Sequence, residues 1–277
     1  MRMNATQPTP YRELNALLHD FVTNVQTILG DSFTAVYLQG SFALGDFDIH
    51  SDVDFLVAIE HEVREAQLST LQAMHARIYD LDSHWAKHLE GSYFPKGTLR
   101  RYDPTSEPLL YLDNGSRELV RSNHDDELVV RWVVRECGII LAGPAPDELI
   151  DPVSADDLRM EVLSTMRDWA QQIFANPDQM NNRWYQPFAV LSYCRMLQTL
   201  QFGRVESKPA AAHWAKNALD SRWAGLIQRA WDERPNPSMK VKQKADPDEF
   251  KSTLEFIEYA LTASSQYENS KIKRTLA

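Results

Sequence analysis

Two short clusters near the start of the chain carry the residue types that phosphate chemistry needs: Gly40-Ser41, and a little further on Asp52-Val53-Asp54. Each borders an apolar run, Val36-Tyr37-Leu38 before the first and Phe55-Leu56-Val57 after the second, so each reads as one end of a buried strand. Gly40 can take backbone angles that a Cβ forbids, and it lets a ligand approach the main chain. Ser41 is expected at a helix N-cap, where unpaired N–H groups and the helix dipole favour a phosphate. Asp52 and Asp54 stand two apart, so on a strand they share one face. Carboxylates so placed repel each other unless a cation lies between them. Mg²⁺ suits that position: it is a hard ion that takes few carboxylates and completes its shell from substrate phosphates. Without the cation, the same residues would be a turn followed by two solvated aspartates.

The elements that must hold these groups follow from periodicity. Leu14, Leu17, Leu18, Phe21, Val25 and Ile28 keep helical spacing from Tyr11 to Leu29, and Gly30 ends that helix. Phe33 to Leu38 is the first strand and Val53 to Ile59 the second. A helix follows over 62–79, with Leu68, Leu71, Met74 and Ile78 on one face. Trp85 to Phe94 reads as a third strand, carrying Glu90. On that strand His84 and His88 would lie far apart on one face, and nothing nearby completes a zinc site. Residues 95–123, rich in Pro, Gly, Asn and Asp, read as one long loop of the kind that often serves function. Residues 125–141 read as a helix, weakened near its end by Gly138. Gly143-Pro144-Ala145-Pro146 reads as a domain boundary. Beyond it the pattern is helical throughout: 156–174, 187–202 ended by Gly203, 207–217, 224–233 and 248–263. Residues 1–9, the charged run from Lys240 to Lys251 and the tail with Lys271, Lys273 and Arg274 are expected to be loose or solvated.

Composition sets limits on partners. The 277 residues carry a formal charge of −10, a poor match to nucleic acid and a better one to a cationic small molecule. No apolar run has the length of a membrane span, and the N-terminus lacks an apolar signal region. Cys137 and Cys194 both sit in apolar helical context and are expected to be buried free thiols of a cytoplasmic protein.

Gly40-Ser41, a short spacer and Asp52-x-Asp54 resemble the signature of the nucleotidyltransferase superfamily. The whole chain resembles one branch of it, the bacterial aminoglycoside nucleotidyltransferases of the streptomycin/spectinomycin adenylyltransferase type. The likeness extends through Gly143-Pro144, Leu149-Ile150-Asp151-Pro152-Val153, Leu191-Ser192-Tyr193-Cys194-Arg195, Gly203-Arg204-Val205, Ser207-Lys208 and Ala212-His213-Trp214-Ala215. It implies an α+β nucleotidyltransferase domain over 1–150, a mixed sheet with flanking helices, followed by an all-α helical-bundle domain over 151–277. It implies ATP as substrate and Mg²⁺ as cofactor, with Asp52, Asp54 and Glu90 around the metal. Glu90, the third carboxylate by position, would serve as general base. Gly40, Ser41, Arg195 and Lys208 would bind the nucleotide, the last two reaching its phosphates from the helical domain across a cleft. Read without the resemblance, Arg195 is a helix-surface arginine, Lys208 a solvated lysine and Glu90 an edge-strand glutamate.

The activity so implied is transfer of AMP from ATP to a hydroxyl of a cationic aminoglycoside or aminocyclitol, in the cytoplasm, by a monomer or dimer. The alternatives are another small-molecule, protein or RNA acceptor on the same fold, or a non-catalytic antitoxin-like module. Family members that modify streptomycin recognise it with a Trp after the base strand and an Asp ahead of the phosphate-binding Arg. Gap-free counting places Gly115 and Tyr185 at those positions here, with Asp178 the nearest upstream Asp and no Trp between Trp85 and Trp132. Spectinomycin, which needs neither contact, or an acceptor outside this pair is therefore expected ahead of streptomycin.

Overall fold

The structure, a computed structural model, describes residues 7–234 and 242–275, with side chains described as far as residue 267. The stretch before residue 7, Lys240 of the charged run and the side chains of Lys271, Lys273 and Arg274 lie outside the described residues. The chain forms two compact units, Met1–Val153 and Ser154–Ala277. The Gly143 to Pro146 stretch lies inside the first of them, where Tyr37 donates to the Pro144 carbonyl at 2.9 Å.

In the first unit α1 (Arg12–Leu29) leads into β1 (Phe33–Leu38), α2 (Gly40–Leu44), β2 (Val53–Ile59), α3 (Glu65–Tyr79) and β3 (Leu89–Pro95). Then come α4 (Lys96–Arg100), β4 (Leu109–Leu112), β5 (Leu119–Ser122), α5 (Leu128–Cys137), β6 (Ile139–Ala142) and α6 (Pro146–Leu149). The strands make one 6-stranded sheet in the order β5-β4-β3-β2-β1-β6. Only β2 and β3 run parallel, joined through α3; every other pair is antiparallel. Strand alternation sorts the side chains. Val36, Phe55, Val57, Tyr93 and Leu110 pack with Leu14 and Phe21 of α1 and Leu71 of α3. Tyr37, Leu56, Ala58, Phe94 and Leu109 turn to the other face, where Val134 of α5 and Ile150 join them. Burial on both faces is why β2 reads as a continuous apolar run once past Asp54. Arg131, 1% exposed, fixes the start of α5 by pairing with Asp126 at 2.6 Å and donating to the Thr98 and Leu99 carbonyls.

Three of the expected elements of this unit need correction. Trp85–Lys87 is a 3₁₀ turn, and β3 starts only at Leu89. The turn is closed by backbone bonds from Lys87 N–H to the His84 carbonyl and from His88 N–H to the Trp85 carbonyl, both 3.1 Å, in place of a strand ladder. The turn puts His84 and His88 side by side, ring centroids 4.6 Å apart, rather than far apart. Second, residues 95–123 are not one loop. Leu109-Leu110-Tyr111-Leu112, buried throughout, forms β4 and pairs with β5. Third, the expected helix over 125–141 stops at Cys137. Gly138 takes an extended conformation (ψ 131), and the β-branched and aliphatic residues after it pair with β1 as β6.

The second unit is all-α, as expected: α7 (Ala155–Ala175), α8 (Tyr185–Phe202), α9 (Lys208–Ala218), α10 (Ala224–Glu233) and α11 (Pro247–Thr275). Helix α8 packs against all four others. It accordingly buries Val190, Leu191, Tyr193, Cys194, Leu197 and Leu200 around its whole circumference, the mark of a central helix. Cys194 is buried, and burial pushes its thiol pKa up; Cys137, expected to be buried, is only half-buried at the end of α5. No described helix is long and apolar enough to cross a membrane.

Candidate active site

The sheet face under α5 is apolar at one end and polar at the other. Asp54 on β2 lies directly opposite Glu90 on β3, and both share their face with Leu56 and Ser92, two residues further on. Tyr111 of β4 is opposite Ser92, so it falls on the same face again. Parallel pairing of β2 with β3 is therefore what brings a carboxylate of the Asp-x-Asp pair beside Glu90.

The turn after β1 closes the site from the other side. Gly40 has φ 57, and a Cβ built there would stand 1.9 Å from Asp54 Oδ2. Only glycine fits, both for the left-handed backbone and for the close approach of the carboxylate. The Gln39 N–H donates to the Asp54 carbonyl at 2.9 Å and ties this turn to β2. Ser41 was expected at the N-cap of the helix that follows; the N-cap is Gln39, and Ser41 is the second residue of α2. Its Oγ is buried with no hydrogen-bond partner among the described residues. Phe42 anchors this short helix by stacking on Phe47 at 4.6 Å and meeting Trp85 edge-on.

Asp52 sits just ahead of β2. Asn114, in the turn of the β4–β5 hairpin, donates to its Oδ1 at 2.7 Å, and His88 Nδ1 lies 3.7 Å from the same oxygen. The nearby Asp52 carboxylate raises the His88 pKa above its ordinary value, against the effect of burial. Glu90 is held more closely. Tyr111 donates to Glu90 Oε1 at 2.5 Å, with Asp113 Oδ1 a longer alternative at 3.1 Å, and His124 Nε2 lies 3.4 Å from Oε1. Glu90 drives the His124 pKa up to about 9, with help from Asp125 and Glu127. Asp125 is pushed up to about 6 by burial, against the hydrogen bond at 2.7 Å that Ser92 donates to it. Burial, then the bond to Glu90, raise the Tyr111 pKa. Among the described residues no three His, Cys, Asp or Glu side chains gather as a ready metal-binding group. Asp52, Asp54 and Glu90 are neighbours along the sheet without forming a closed cage.

Arg195 and Lys208 belong to the second unit. Arg195 Nε, on α8, donates to the Glu206 carbonyl at 3.2 Å, and Lys208 opens α9 two residues later, behind the N-cap Ser207.

Residues 21–103 match the nucleotidyltransferase domain family, and residues 148–262 match the aminoglycoside adenylyltransferase C-terminal domain family. The chain belongs to the aminoglycoside adenylyltransferase type of nucleotidyltransferases. It is an enzyme of this class. Among such adenylyltransferases it is 26% identical over 219 residues to the spectinomycin 9-adenylyltransferase of Staphylococcus aureus, covering 74% of this chain and 79% of that one. It is 24% identical over 257 residues to an aminoglycoside (3'')(9) adenylyltransferase of Shigella flexneri, covering 89% and 93%. The fold is shared with a spectinomycin adenyltransferase from Enterococcus faecialis solved with ATP and spectinomycin. The TM-score is 0.66 at 13% identity, over 89% of this chain and 98% of that one. At that identity the likeness is one of fold.

Sequence reasoning missed the outer ring of this candidate site: His88 as a neighbour of Asp52, and Ser92, Tyr111, Asn114, His124 and Asp125. One signal was available. Asp113-Asn114-Gly115 between two apolar runs is a hairpin turn, and pairing it would have carried Tyr111 and Asn114 to the sheet.

Proposed function

We propose that this enzyme transfers AMP from ATP, with Mg²⁺, to a hydroxyl of an aminoglycoside or aminocyclitol, spectinomycin ahead of streptomycin. The observation that carries the reading is the shared space at Gly40. Main chain at the start of α2 and the Asp54 carboxylate meet where a Cβ would be 1.9 Å away, with Glu90 on the adjoining strand.

The donors suit Mg²⁺ and a triphosphate. Asp52 and Asp54 supply hard oxygens, and the orphaned Ser41 hydroxyl beside Gly40 is a donor for a phosphate oxygen. When bound there, Mg²⁺ draws charge from the α-phosphate and orients the triphosphate. Ser41 and the start of α2 hold the outer phosphate oxygens. Arg195, as a planar fork, and Lys208, as a point charge, add positive charge to them. Glu90 takes the proton from the acceptor hydroxyl. As it does so the hydroxyl oxygen bonds to the α-phosphorus, the bond from that phosphorus to the bridging oxygen breaks, and pyrophosphate leaves.

The acceptor preference rests on two features. Gly115, at the position counted for the streptomycin-binding Trp, is a turn glycine beside Asn114, and Tyr185 opens α8 where an Asp is wanted. Gly115 supplies no apolar slab and Tyr185 no charge partner for a guanidinium-bearing antibiotic. The first relative above also bears the name of a spectinomycin-modifying enzyme. The test is pyrophosphate release from ATP and Mg²⁺ with spectinomycin, for the wild type and for Asp52→Asn and Asp54→Asn. Release by the wild type alone supports the assignment. Near-normal release by Asp54→Asn contradicts the metal role.

A further inference from the structure

Glu90 is held by one oxygen only. Tyr111 donates to Oε1 at 2.5 Å and His124 Nε2 faces the same atom at 3.4 Å, while Oε2 has no protein partner among the described residues. The torsion that turns a glutamate carboxylate is broad and soft, so an unclamped Glu90 would sweep both oxygens through the site. Both groups have neighbours in the site, although the His124 side chain is 60% exposed. The Tyr111 and His124 rings lie against each other, centroids 5.1 Å apart. Asp125, next to His124 in the chain, is buried and bound by Ser92 of β3, the strand that carries Glu90. Ser92, Tyr111 and Glu90 share one sheet face, so Tyr111 and the carboxylate it holds ride on adjoining strands, while His124 follows β5 and is tied to β3 through Asp125.

We propose that Tyr111 and His124 are positioning residues that pin Glu90 Oε1 and present Oε2 as the atom that takes the acceptor's proton. The proposal rests on the reading of Glu90 as the general base. It adds which oxygen acts and what aims it. What the clamp supplies is orientation, because a base aimed within hydrogen-bond reach of one hydroxyl avoids the entropy of finding it.

The test is a double-mutant cycle with ATP, Mg²⁺ and spectinomycin, read as kcat and KM separately, alongside calorimetric binding of spectinomycin. Tyr111→Phe removes a single oxygen. It should lower kcat by about 10- to 100-fold, the usual worth of a hydrogen bond to a charged group, and leave spectinomycin affinity within about twofold. In the Glu90→Gln background the same change should cost almost nothing, because the group it aims is gone. His124→Leu should also lower kcat, and His124→Gln, which keeps an N–H donor, should recover part of the loss. These two variants carry the test if Tyr111→Phe fails to fold. A loss from Tyr111→Phe that is equal in both backgrounds, or one that appears in KM with kcat intact, overturns the clamp. A Glu90→Gln enzyme with normal kcat is a different failure: it removes the base itself, and the clamp with it.

Discussion

Replacing Gly40 and Gly45 by alanine separates backbone strain from the site. Both glycines have positive φ, 57 and 80, and both border the same short helix α2. An alanine in the left-handed region costs roughly 1–2 kcal/mol at either position. At Gly45 nothing lies within 4 Å of the new methyl group, so that is the whole effect. At Gly40 the methyl group would stand 1.9 Å from Asp54 Oδ2 and 2.7 Å from Asp54 Cγ, so the carboxylate must swing away. Driving it off its rotamer adds about 0.5–1.5 kcal/mol, for a total of about 1.5–3.5 kcal/mol. The loss of stability should thus differ little between the variants, and the loss of activity should differ greatly. A displacement of ~1 Å at a metal-binding carboxylate is worth on the order of 10²-fold in rate. Urea unfolding and pyrophosphate release, measured on both variants, give the comparison. Gly40→Ala with the activity of Gly45→Ala would refute the claim that the close approach of Asp54 to α2 builds the site.

Asp125→Asn should stabilise the protein above neutral pH. The folded-state pKa of about 6 lies above the ordinary carboxyl value, so this group's contribution to stability is full below that ordinary value and is lost as pH rises through 6. About two pKa units correspond to up to ~3 kcal/mol. The gain over wild type should appear in unfolding at pH 8 and vanish near pH 4; equal effects at both would contradict it. Arg195→Ala and Lys208→Ala should each weaken ATP binding by about 10- to 100-fold, as expected for a charged hydrogen bond, and hardly affect adenosine. Calorimetry with both ligands measures this, and equal losses would deny a phosphate contact.

The inner site was legible in the sequence because its signals are local. Gly40-Ser41 and Asp52-x-Asp54 each lie at the end of an apolar run, and β1, β2 and α1 follow from spacing alone. The parallel register that sets Asp54 opposite Glu90 is a fact about two strands separated by α3, and no local pattern encodes it. The hairpin was hidden because β4 is buried on both faces and lacks alternation. With it went Tyr111 and Asn114. His124 and Asp125 follow β5 in an irregular segment with no motif at all. Their part depends on where the sheet places Ser92 and Glu90. β6 was lost to helical periodicity because Ile139-Ile140-Leu141 suits either structure, and the free edge of β1 decided the outcome.

The central claim is tested most directly by the mass of the acceptor after incubation with the purified enzyme, ATP and Mg²⁺, for spectinomycin and streptomycin in separate reactions. Spectinomycin should gain one adenylyl group with release of pyrophosphate, and streptomycin should be modified far more slowly. Efficient adenylylation of streptomycin would contradict the acceptor assignment, and ATP turnover that leaves both antibiotics unchanged would contradict the proposed reaction.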